Sequence, residues 1–212
     1  MEEKLRNEII DCGKKLLFED LTFGSGGNIS IRHEDGMLIT PSGVEYEELQ
    51  KQEIVYMDFE GRVVRGNSVP SSENMMHSLI YEKRADVNAI IHTHSKYINV
   101  LAAMGEDLKA VNYLIASSGD KVVKTTPYET FGTEKLAEYA VEYLGQRKAV
   151  ILSNHGLITC GSTLEEAFKI SRDLEFCALV QVKAMAVGEL KLIPDDKIEE
   201  LVQKFKEHGQ NK

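Results

Sequence analysis

Apolar positions recur with a helical period at the start of the chain and with a strand period through much of its first half. Residues 3–20 place apolar side chains on one face of an amphipathic helix, namely Leu5, Ile9, Leu16 and Leu17. Two pairs of short strands follow, each pair around a turn signal that contains glycine. The predicted strands cover 29–31 and 37–39 around Asp35-Gly36, and 54–58 and 62–65 around Glu60-Gly61.

The second half of the chain predicts helices separated by buried strands. Helices are predicted over about 71–84, 97–104, 133–144, 163–187 and 195–207, and strands over 89–91 and 149–152. Ser71 or Ser72 suits the cap of the first of these helices, and Thr163 with Glu166 forms a capping box for the longest one. Hairpins in the first half, with helices at both ends, indicate an α/β (α+β) fold or a three-layer α/β/α domain.

Composition narrows the class of protein. A length of 212 residues suits one domain, and we expect a single domain over 1–212. The formal net charge of −9, with no cluster of Lys and Arg, argues against a nucleic-acid partner. No apolar run approaches the roughly 20 residues of a membrane span, and the acidic N-terminus has no signal-peptide pattern. The three cysteines form no CxxC pair, so we expect a reduced, cytoplasmic protein without a disulfide framework.

Three of the six histidines have a spacing typical of metal ligands. His92 and His94 are two residues apart on a predicted strand, so both side chains face one side and suit a single Zn²⁺. His155 follows the second buried strand, where a sharp turn at Gly156 is possible. A strand with two histidines satisfied in the core remains the alternative. Three nitrogen ligands would leave one coordination position open, as in catalytic zinc sites.

Glu73 lies at the start of a predicted helix, where a carboxylate is favoured by the helix dipole. It is equally placed to be a fourth metal ligand or a general base. His77 lies one turn later on the same helix face and is a rival ligand. A packed histidine is the favoured interpretation of His77, because no zincin motif surrounds it.

Three short neutral segments predict a pocket for a small anion, through backbone N–H groups and hydroxyl or amide donors. The segments are Gly27-Asn28, Ser42-Gly43 and Ser71-Ser72. Each is weak alone, because turns use the same residues. The glycine-rich stretch 24–28 is not followed by the Lys-Ser/Thr pair of a phosphate-binding Walker loop.

Taken together, the motifs resemble those of the class II aldolase/adducin family. The resemblance covers roughly residues 3–207, and within the family it is greatest to the aldolases of L-fuculose 1-phosphate and of deoxy-pentulose phosphates. The motifs occur in family order: GGNIS at 26–30, TPSG at 40–43, PSSE at 70–73, His-Thr-His at 92–94, PYETFGT at 127–133 and NHGL at 154–157.

The resemblance implies a role for each matching residue. One Zn²⁺ per subunit would be held by His92, His94 and His155. Glu73 would be the catalytic acid/base and would also ligate the metal when substrate is absent. Tyr113 from a neighbouring subunit would protonate the aldehyde oxygen, and Phe131 would shape the aldehyde side. The substrate phosphate would be bound by Gly27, Asn28, Ser42, Gly43, Ser71 and Ser72.

The resemblance also implies a mostly antiparallel central sheet within the three layers, and a four-fold homotetramer with active sites at subunit interfaces. The implied reaction is reversible cleavage of a ketose 1-phosphate, such as L-fuculose 1-phosphate, to dihydroxyacetone phosphate and a small aldehyde such as L-lactaldehyde. Alternatives are a 5-deoxyribulose 1-phosphate aldolase, a 5-methylthioribulose-1-phosphate dehydratase, a ribulose-5-phosphate 4-epimerase and a metal-free adducin-like interaction module. One position departs from the family: His208 replaces the tyrosine of a C-terminal tail, expected here to be mobile from about residue 207.

Overall fold

The structure is a computed structural model. It describes the backbone of residues 1–208 and the side chains as far as Phe205. The expected tail beyond about residue 207, and the side chain of His208, lie outside this range.

A seven-stranded antiparallel sheet forms the middle of the fold. The strands are β1 Asn28–His33, β2 Gly36–Ile39, β3 Val55–Asp58, β4 Val63–Arg65, β5 Ala89–Thr93, β6 Leu108–Lys109, β7 Val122–Val123, β8 Ala149–Leu152 and β9 Gly156–Gly161. The strand order in the large sheet is β4-β3-β2-β1-β5-β9-β8, and β6 and β7 form a separate two-stranded sheet. Both predicted hairpins are present, since β1 pairs with β2 and β3 pairs with β4.

Helices cover both faces of this sheet, which confirms the three-layer α/β/α arrangement. They are α1 Glu2–Phe18, α2 Asn74–Lys83, α3 Lys96–Met104, α4 Glu134–Leu144, α5 Leu164–Met185 and α6 Asp195–His208. Helices α2 and α4 pack on one face, and α1, α3 and α5 pack on the other, with α6 joining the same cluster as α3 and α5. Short 3-10 helices occupy Lys51–Glu53 and Tyr113–Ser118.

Successive side chains of strand β5 point to opposite faces of the sheet and so belong to different parts of the core. Ile90 packs in the cluster with α2 and α4, whereas Ala89 and Ile91 pack in the cluster with α1 and α5. In the antiparallel register Asn28 lies opposite His92, and Ser30 lies opposite Ile90. Residues directly opposite share a face, so these polar side chains of β1 and β5 point toward α2.

The short strands β6 and β7 and the two 3-10 helices were not predicted, and two further details differ from the sequence expectations. Strand β9 was not predicted, because its short apolar run between two glycines carries no alternation, both faces being buried. Helix α2 begins at Asn74 with Glu73 as its N-cap, and no side chain makes the capping hydrogen bond. Ser71 is not that cap: its Oγ accepts a hydrogen bond from the backbone N–H of Glu73, 3.3 Å away.

Among the described residues, no helix is long and apolar enough to cross a membrane. Cys12, Cys160 and Cys177 are all free and buried. Burial raises the pKa of each thiol to about 12, so none supplies a thiolate at neutral pH.

Candidate metal centre and active site

Three histidines meet at one edge of the sheet, where β5 ends and β9 begins. The two strands are antiparallel neighbours, with Thr93 opposite Leu157, so the residues just beyond their ends are brought together. His94 follows β5 and His155 precedes β9, while His92 lies within β5. The Nε2 atom of His92 lies 2.9 Å from Nε2 of His94 and 3.1 Å from Nε2 of His155. The predicted trio is thus assembled, although β5 ends one residue before His94.

A backbone carbonyl determines which nitrogen of His92 is available to a metal. His92 Nδ1 lies 3.0 Å from the carbonyl oxygen of Leu157. A carbonyl oxygen only accepts, so Nδ1 must carry the proton and donate it. Nε2 of neutral His92 then carries a lone pair directed at the other two imidazoles. Metal-binding histidines usually have this arrangement, in which the second ring nitrogen donates a hydrogen bond to a carbonyl or carboxylate.

Close backbone packing explains two glycines beside this trio. A Cβ atom at Gly156 would lie 2.2 Å from the carbonyl oxygen of Thr93, and one at Gly27 would lie 2.3 Å from that of His92. Gly27 also has a φ of +74°, which L-residues rarely adopt. Only glycine allows the backbone just before β1 and at the start of β9 to approach β5 this closely.

Glu73 completes the cluster from the neighbouring layer. One carboxylate oxygen, Oε2, lies 3.2 Å from His92 Nε2, and the other, Oε1, lies 3.4 Å from His155 Nε2. Asn28 donates from Nδ2 to Glu73 Oε2 at 2.9 Å. Within the described part of the chain, the buried Oε1 accepts no hydrogen bond. The carboxylate therefore faces the histidines with Oε2 oriented by Asn28 and with Oε1 available to bind a metal ion or a proton.

Burial keeps the three imidazoles neutral, which is the protonation state that binds metal ions. It lowers the pKa of His155 to about 4, assisted by neighbouring His92. Burial also lowers the pKa of His94, and it lowers that of His92 well below 6.5. All three are therefore neutral at neutral pH, as metal ligation requires.

The residues fit a tetrahedral divalent metal ion. Ligand atoms about 2.0–2.1 Å from one zinc ion lie about 3.3 Å from each other in a tetrahedron. The separations from His92 Nε2 to the other imidazoles and to Glu73 are 2.9, 3.1 and 3.2 Å. Three nitrogens with a carboxylate beside them match the donors that zinc prefers over Mg²⁺ or Ca²⁺. The carboxylate oxygen that accepts no hydrogen bond, Oε1, lies 3.4 Å from His155 Nε2. The cluster of His92, His94 and His155 is able to bind a metal ion.

Two of the segments expected to bind phosphate adjoin one backbone bridge, which uses some of their donors. Pro41 and Pro70 form an isolated antiparallel bridge, from which 42–43 and 71–72 continue in opposite directions. Ser42 donates its N–H to the carbonyl of Val69, and Ser71 donates its N–H to the carbonyl of Thr40. Ser42, Gly43 and Ser72 are exposed. An anion at this position would therefore use hydroxyl groups and the remaining backbone donors.

Asn28, expected to bind phosphate, contacts the carboxylate of Glu73, and its role toward phosphate stays a prediction. Its side chain is buried and its amide nitrogen donates to Glu73, which links it to the carboxylate. The alternation of β1 is a signal for this placement, because Asn28 and Ser30 share the face that packs against α2.

Tyr113 and Phe131 are not brought into the cluster by a single chain. Tyr113 is 53% exposed, at the start of a 3-10 helix, and its ring packs near Phe205 of α6, with centroids 6.5 Å apart. Phe131 is 64% exposed and precedes Gly132. A Cβ at Gly132 would be 3.1 Å from the carbonyl oxygen of Ser72, so this loop lies against the segment before Glu73.

His77 is a packed histidine, as the favoured interpretation held. It is fully buried, and its Nδ1 lies 2.7 Å from the hydroxyl of Ser30, which in turn lies 2.8 Å from the hydroxyl of Tyr81. The metal-binding cluster does not include it.

We expect His77 to make stability depend on pH. Burial lowers its pKa from 6.5 to about 3. Below pH 6.5 the unfolded chain binds a proton there that the folded chain excludes, so stability falls as the pH falls toward 3. The slope from this group is at most about 1.4 kcal/mol per pH unit. Urea unfolding of metal-free protein at pH 7 and pH 5 should show a smaller loss for His77→Gln than for the parent; equal losses would contradict the assignment.

Comparison with known proteins places this geometry in a family. The model of the class II aldolase and adducin N-terminal domain matches residues 7–182. The chain is 45% identical over 210 residues to the 5-deoxy-D-ribulose 1-phosphate aldolase of Bacillus thuringiensis serovar kurstaki, with 98% of each covered. It is 36% identical over 207 residues to an L-fuculose phosphate aldolase of Escherichia coli, with 97% of this chain and 96% of the relative covered.

Solved structures agree with the sequence comparison. An L-fuculose 1-phosphate aldolase superimposes with a TM-score of 0.94 at 41% identity, and 96% of each chain is covered. With a family match over most of its length and relatives aligned from end to end, the chain belongs to the class II aldolase/adducin family.

Proposed function

We propose that the protein is a metal-dependent aldolase that reversibly cleaves a ketose 1-phosphate to dihydroxyacetone phosphate and a small aldehyde. The observation that carries the proposal is the cluster of His92, His94 and His155 with Glu73 beside it. An adducin-like interaction module would have no need of this buried set of neutral imidazoles next to a carboxylate. We infer Zn²⁺ as the ion, one per subunit.

The chemistry divides between the ion and the residues around it. When bound, the ion supplies a Lewis acid that stabilises negative charge on the carbonyl and hydroxyl oxygens of the substrate. Glu73 removes the proton from C3 of dihydroxyacetone phosphate in synthesis and returns it to C3 in cleavage. Asn28, which donates to Glu73 Oε2 at 2.9 Å, holds the carboxylate in a fixed orientation for this transfer.

The remaining site residues stay in the roles that the family resemblance assigns to them. We place the substrate phosphate against Gly27, Asn28, Ser42, Gly43, Ser71 and Ser72. Two contacts support this: Gly27 packs against the backbone of His92, and Ser71 Oγ accepts from the N–H of Glu73. Phosphate binding at a distance from the reacting bond fixes the position of the substrate. Neutral donors suit this task in a chain whose net charge is −9.

Assembly completes the proposed site. Tyr113 protonates the aldehyde oxygen from a neighbouring subunit and Phe131 lines the aldehyde side. Their exposure of 53% and 64% in a single chain supports roles that need a second chain or a substrate to cover them. A homotetramer in the cytoplasm is the assembly and setting we propose.

The relatives point to a substrate whose aldehyde half ends in a methyl group. Cleavage of 5-deoxyribulose 1-phosphate would release acetaldehyde, and cleavage of L-fuculose 1-phosphate would release lactaldehyde. The greater identity to the 5-deoxy-D-ribulose 1-phosphate aldolase, 45% against 36%, favours the former as the better substrate.

A panel of ketose phosphates tests this proposal. The zinc-loaded protein is incubated with 5-deoxyribulose 1-phosphate, L-fuculose 1-phosphate, 5-methylthioribulose 1-phosphate or ribulose 5-phosphate. Release of dihydroxyacetone phosphate is followed by its enzymatic reduction. We expect release from the first two, fastest from 5-deoxyribulose 1-phosphate.

Two other results would replace the aldolase proposal. Loss of water from 5-methylthioribulose 1-phosphate without dihydroxyacetone phosphate would indicate the dehydratase. Conversion of ribulose 5-phosphate to its 4-epimer would indicate the epimerase. Absence of bound metal after gentle purification, with no turnover after zinc is added, would favour the interaction module.

A further inference from the structure

A carboxylate from α5 holds the backbone immediately after the metal-site histidine His94. Glu175 lies near the middle of α5, and its two oxygens accept three hydrogen bonds from the first residues of α3. Oε2 accepts from the hydroxyl of Ser95 at 2.7 Å and from the N–H of Ile98 at 3.0 Å, and Oε1 accepts from the N–H of Tyr97 at 2.8 Å. Glu175 therefore binds the turn that directly follows His94.

This contact replaces the ordinary cap of α3. Ser95 is the N-cap residue, yet its own side chain makes no capping hydrogen bond. Its hydroxyl donates to Glu175 instead, and the N–H groups of the first turn are satisfied by the same carboxylate. A negative charge at a helix N-terminus also interacts favourably with the helix dipole. The start of α3 is thus positioned by another helix rather than by its local sequence.

The far end of the same helix contacts the loop that carries His155. The carbonyl of Ala102 accepts a hydrogen bond from the N–H of Asn154 at 3.0 Å, and the hydroxyl of Ser153 lies 3.4 Å from it. Asn154 has a φ of +54°, so the loop turns sharply just before His155. Helix α3 therefore adjoins His94 at its beginning and the loop of His155 near its end.

We propose that Glu175 is a positioning residue for the metal site, acting through α3 to set His94 and His155 at the spacing that binds the ion. The proposal rests on the metal-dependent function inferred above. Glu175 touches neither substrate nor metal in this role. It holds a short, rigid helix whose two ends border two of the three histidine ligands.

Replacement of Glu175 by glutamine removes this support with little change in shape. Both carboxylate oxygens accept from N–H donors, so the amide NH₂ of glutamine must face the N–H of either Tyr97 or Ile98. Two donors cannot bond to each other. We therefore expect the first turn of α3 to shift. The dissociation constants for Co²⁺ and Zn²⁺ should rise about tenfold, a common effect of losing a residue that orients a metal ligand.

The experiment measures metal binding rather than turnover. Metal-free parent and variant proteins are titrated with Zn²⁺ and with Co²⁺ in competition with a chromophoric chelator, and the visible spectrum of the Co²⁺ forms is recorded. Glu165→Gln is the matched control, because Glu165 is exposed on the same helix. We expect Glu175→Gln to weaken binding and alter the Co²⁺ spectrum, and Glu165→Gln to leave both unchanged.

A second set of variants separates positioning from general stability. Ile9→Val shortens a buried side chain of α1, in the hydrophobic cluster formed with β1, β2, β3 and β5, and should lower the melting temperature away from α3's first turn. Glu175→Asp retains the charge on a shorter side chain and should bind metal with intermediate affinity. If Glu175→Gln binds both ions as tightly as the parent while its melting temperature falls, the proposal is overturned. Failure of the parent itself to bind either ion would instead contradict the proposed function.

Discussion

Exchange of His155 for glutamine is expected to leave the protein unable to retain its metal ion and to lower kcat/KM for ketose 1-phosphate cleavage by about a thousandfold or more. His155 supplies one of three imidazole nitrogens, 3.1 Å from Nε2 of His92. Metal stabilisation of developing charge contributes several kcal/mol, and each 1.4 kcal/mol is about a factor of ten in rate. The side chain is 17% exposed, so glutamine can be accommodated without a large cavity.

Metal content and cleavage rate together test this expectation. The variant and the parent are purified without chelator, their zinc is measured, and cleavage is assayed before and after addition of zinc. His33→Gln is the control, because His33 lies at the end of β1 beside Glu2 and Glu34, outside the metal cluster. It should keep both metal and activity. Full activity of His155→Gln, or of the parent in strong chelator, would refute the metal mechanism.

Exchange of Glu73 for glutamine is expected to separate metal binding from proton transfer. The three imidazoles remain, and the amide oxygen of glutamine can still accept from Asn28. The variant should therefore keep zinc. It cannot accept a proton from C3, so exchange at C3 of dihydroxyacetone phosphate should fall by about 10²–10⁴-fold, the usual contribution of general acid–base catalysis.

Proton exchange can be followed without the aldehyde. Dihydroxyacetone phosphate is incubated in D₂O with zinc-loaded protein, and loss of the C3 proton signal is recorded by NMR. Glu82→Gln is the matched control, since Glu82 is an exposed carboxylate on the same helix, α2. Undiminished exchange in Glu73→Gln would remove Glu73 from its role. Loss of zinc in the same variant would show that its carboxylate acts chiefly as a ligand.

Local signals in the sequence predicted most secondary structure because they act over a few residues. Thr163 accepts the expected hydrogen bond from the N–H of Glu166 at the start of α5, although the carboxylate of Glu166 accepts from Ser162 instead of completing the capping box. Thr133 makes the corresponding bond at the start of α4. The turn signal at Asp35-Gly36 does join β1 to β2. Strand β9 escaped prediction because a strand buried on both faces loses the alternation that identifies strands.

The candidate site was predictable only in part. The His-Thr-His spacing and the family motifs indicated which residues are chemically suited to bind a metal. The structure brings one ring nitrogen of each of the three histidines within 4.8 Å of the others. No local pattern indicated that Asn28 would donate to Glu73, 45 residues away, or that Glu175 would hold the turn after His94 from 80 residues away. Such contacts depend on which strands are neighbours and in what register.

The sequence by itself thus determined the residue types, the helices and hairpins, and the motifs that place the chain in its family. Only the tertiary structure decided that β5 and β9 are adjacent and antiparallel, which puts His94 and His155 at one sheet edge. It also decided that Asn28 and His92 share the face beneath α2, where Glu73 meets them. The reason is physical: propensity and capping are energies of neighbouring residues, whereas a metal centre needs groups distant in sequence, and burial of the whole core determines how they meet.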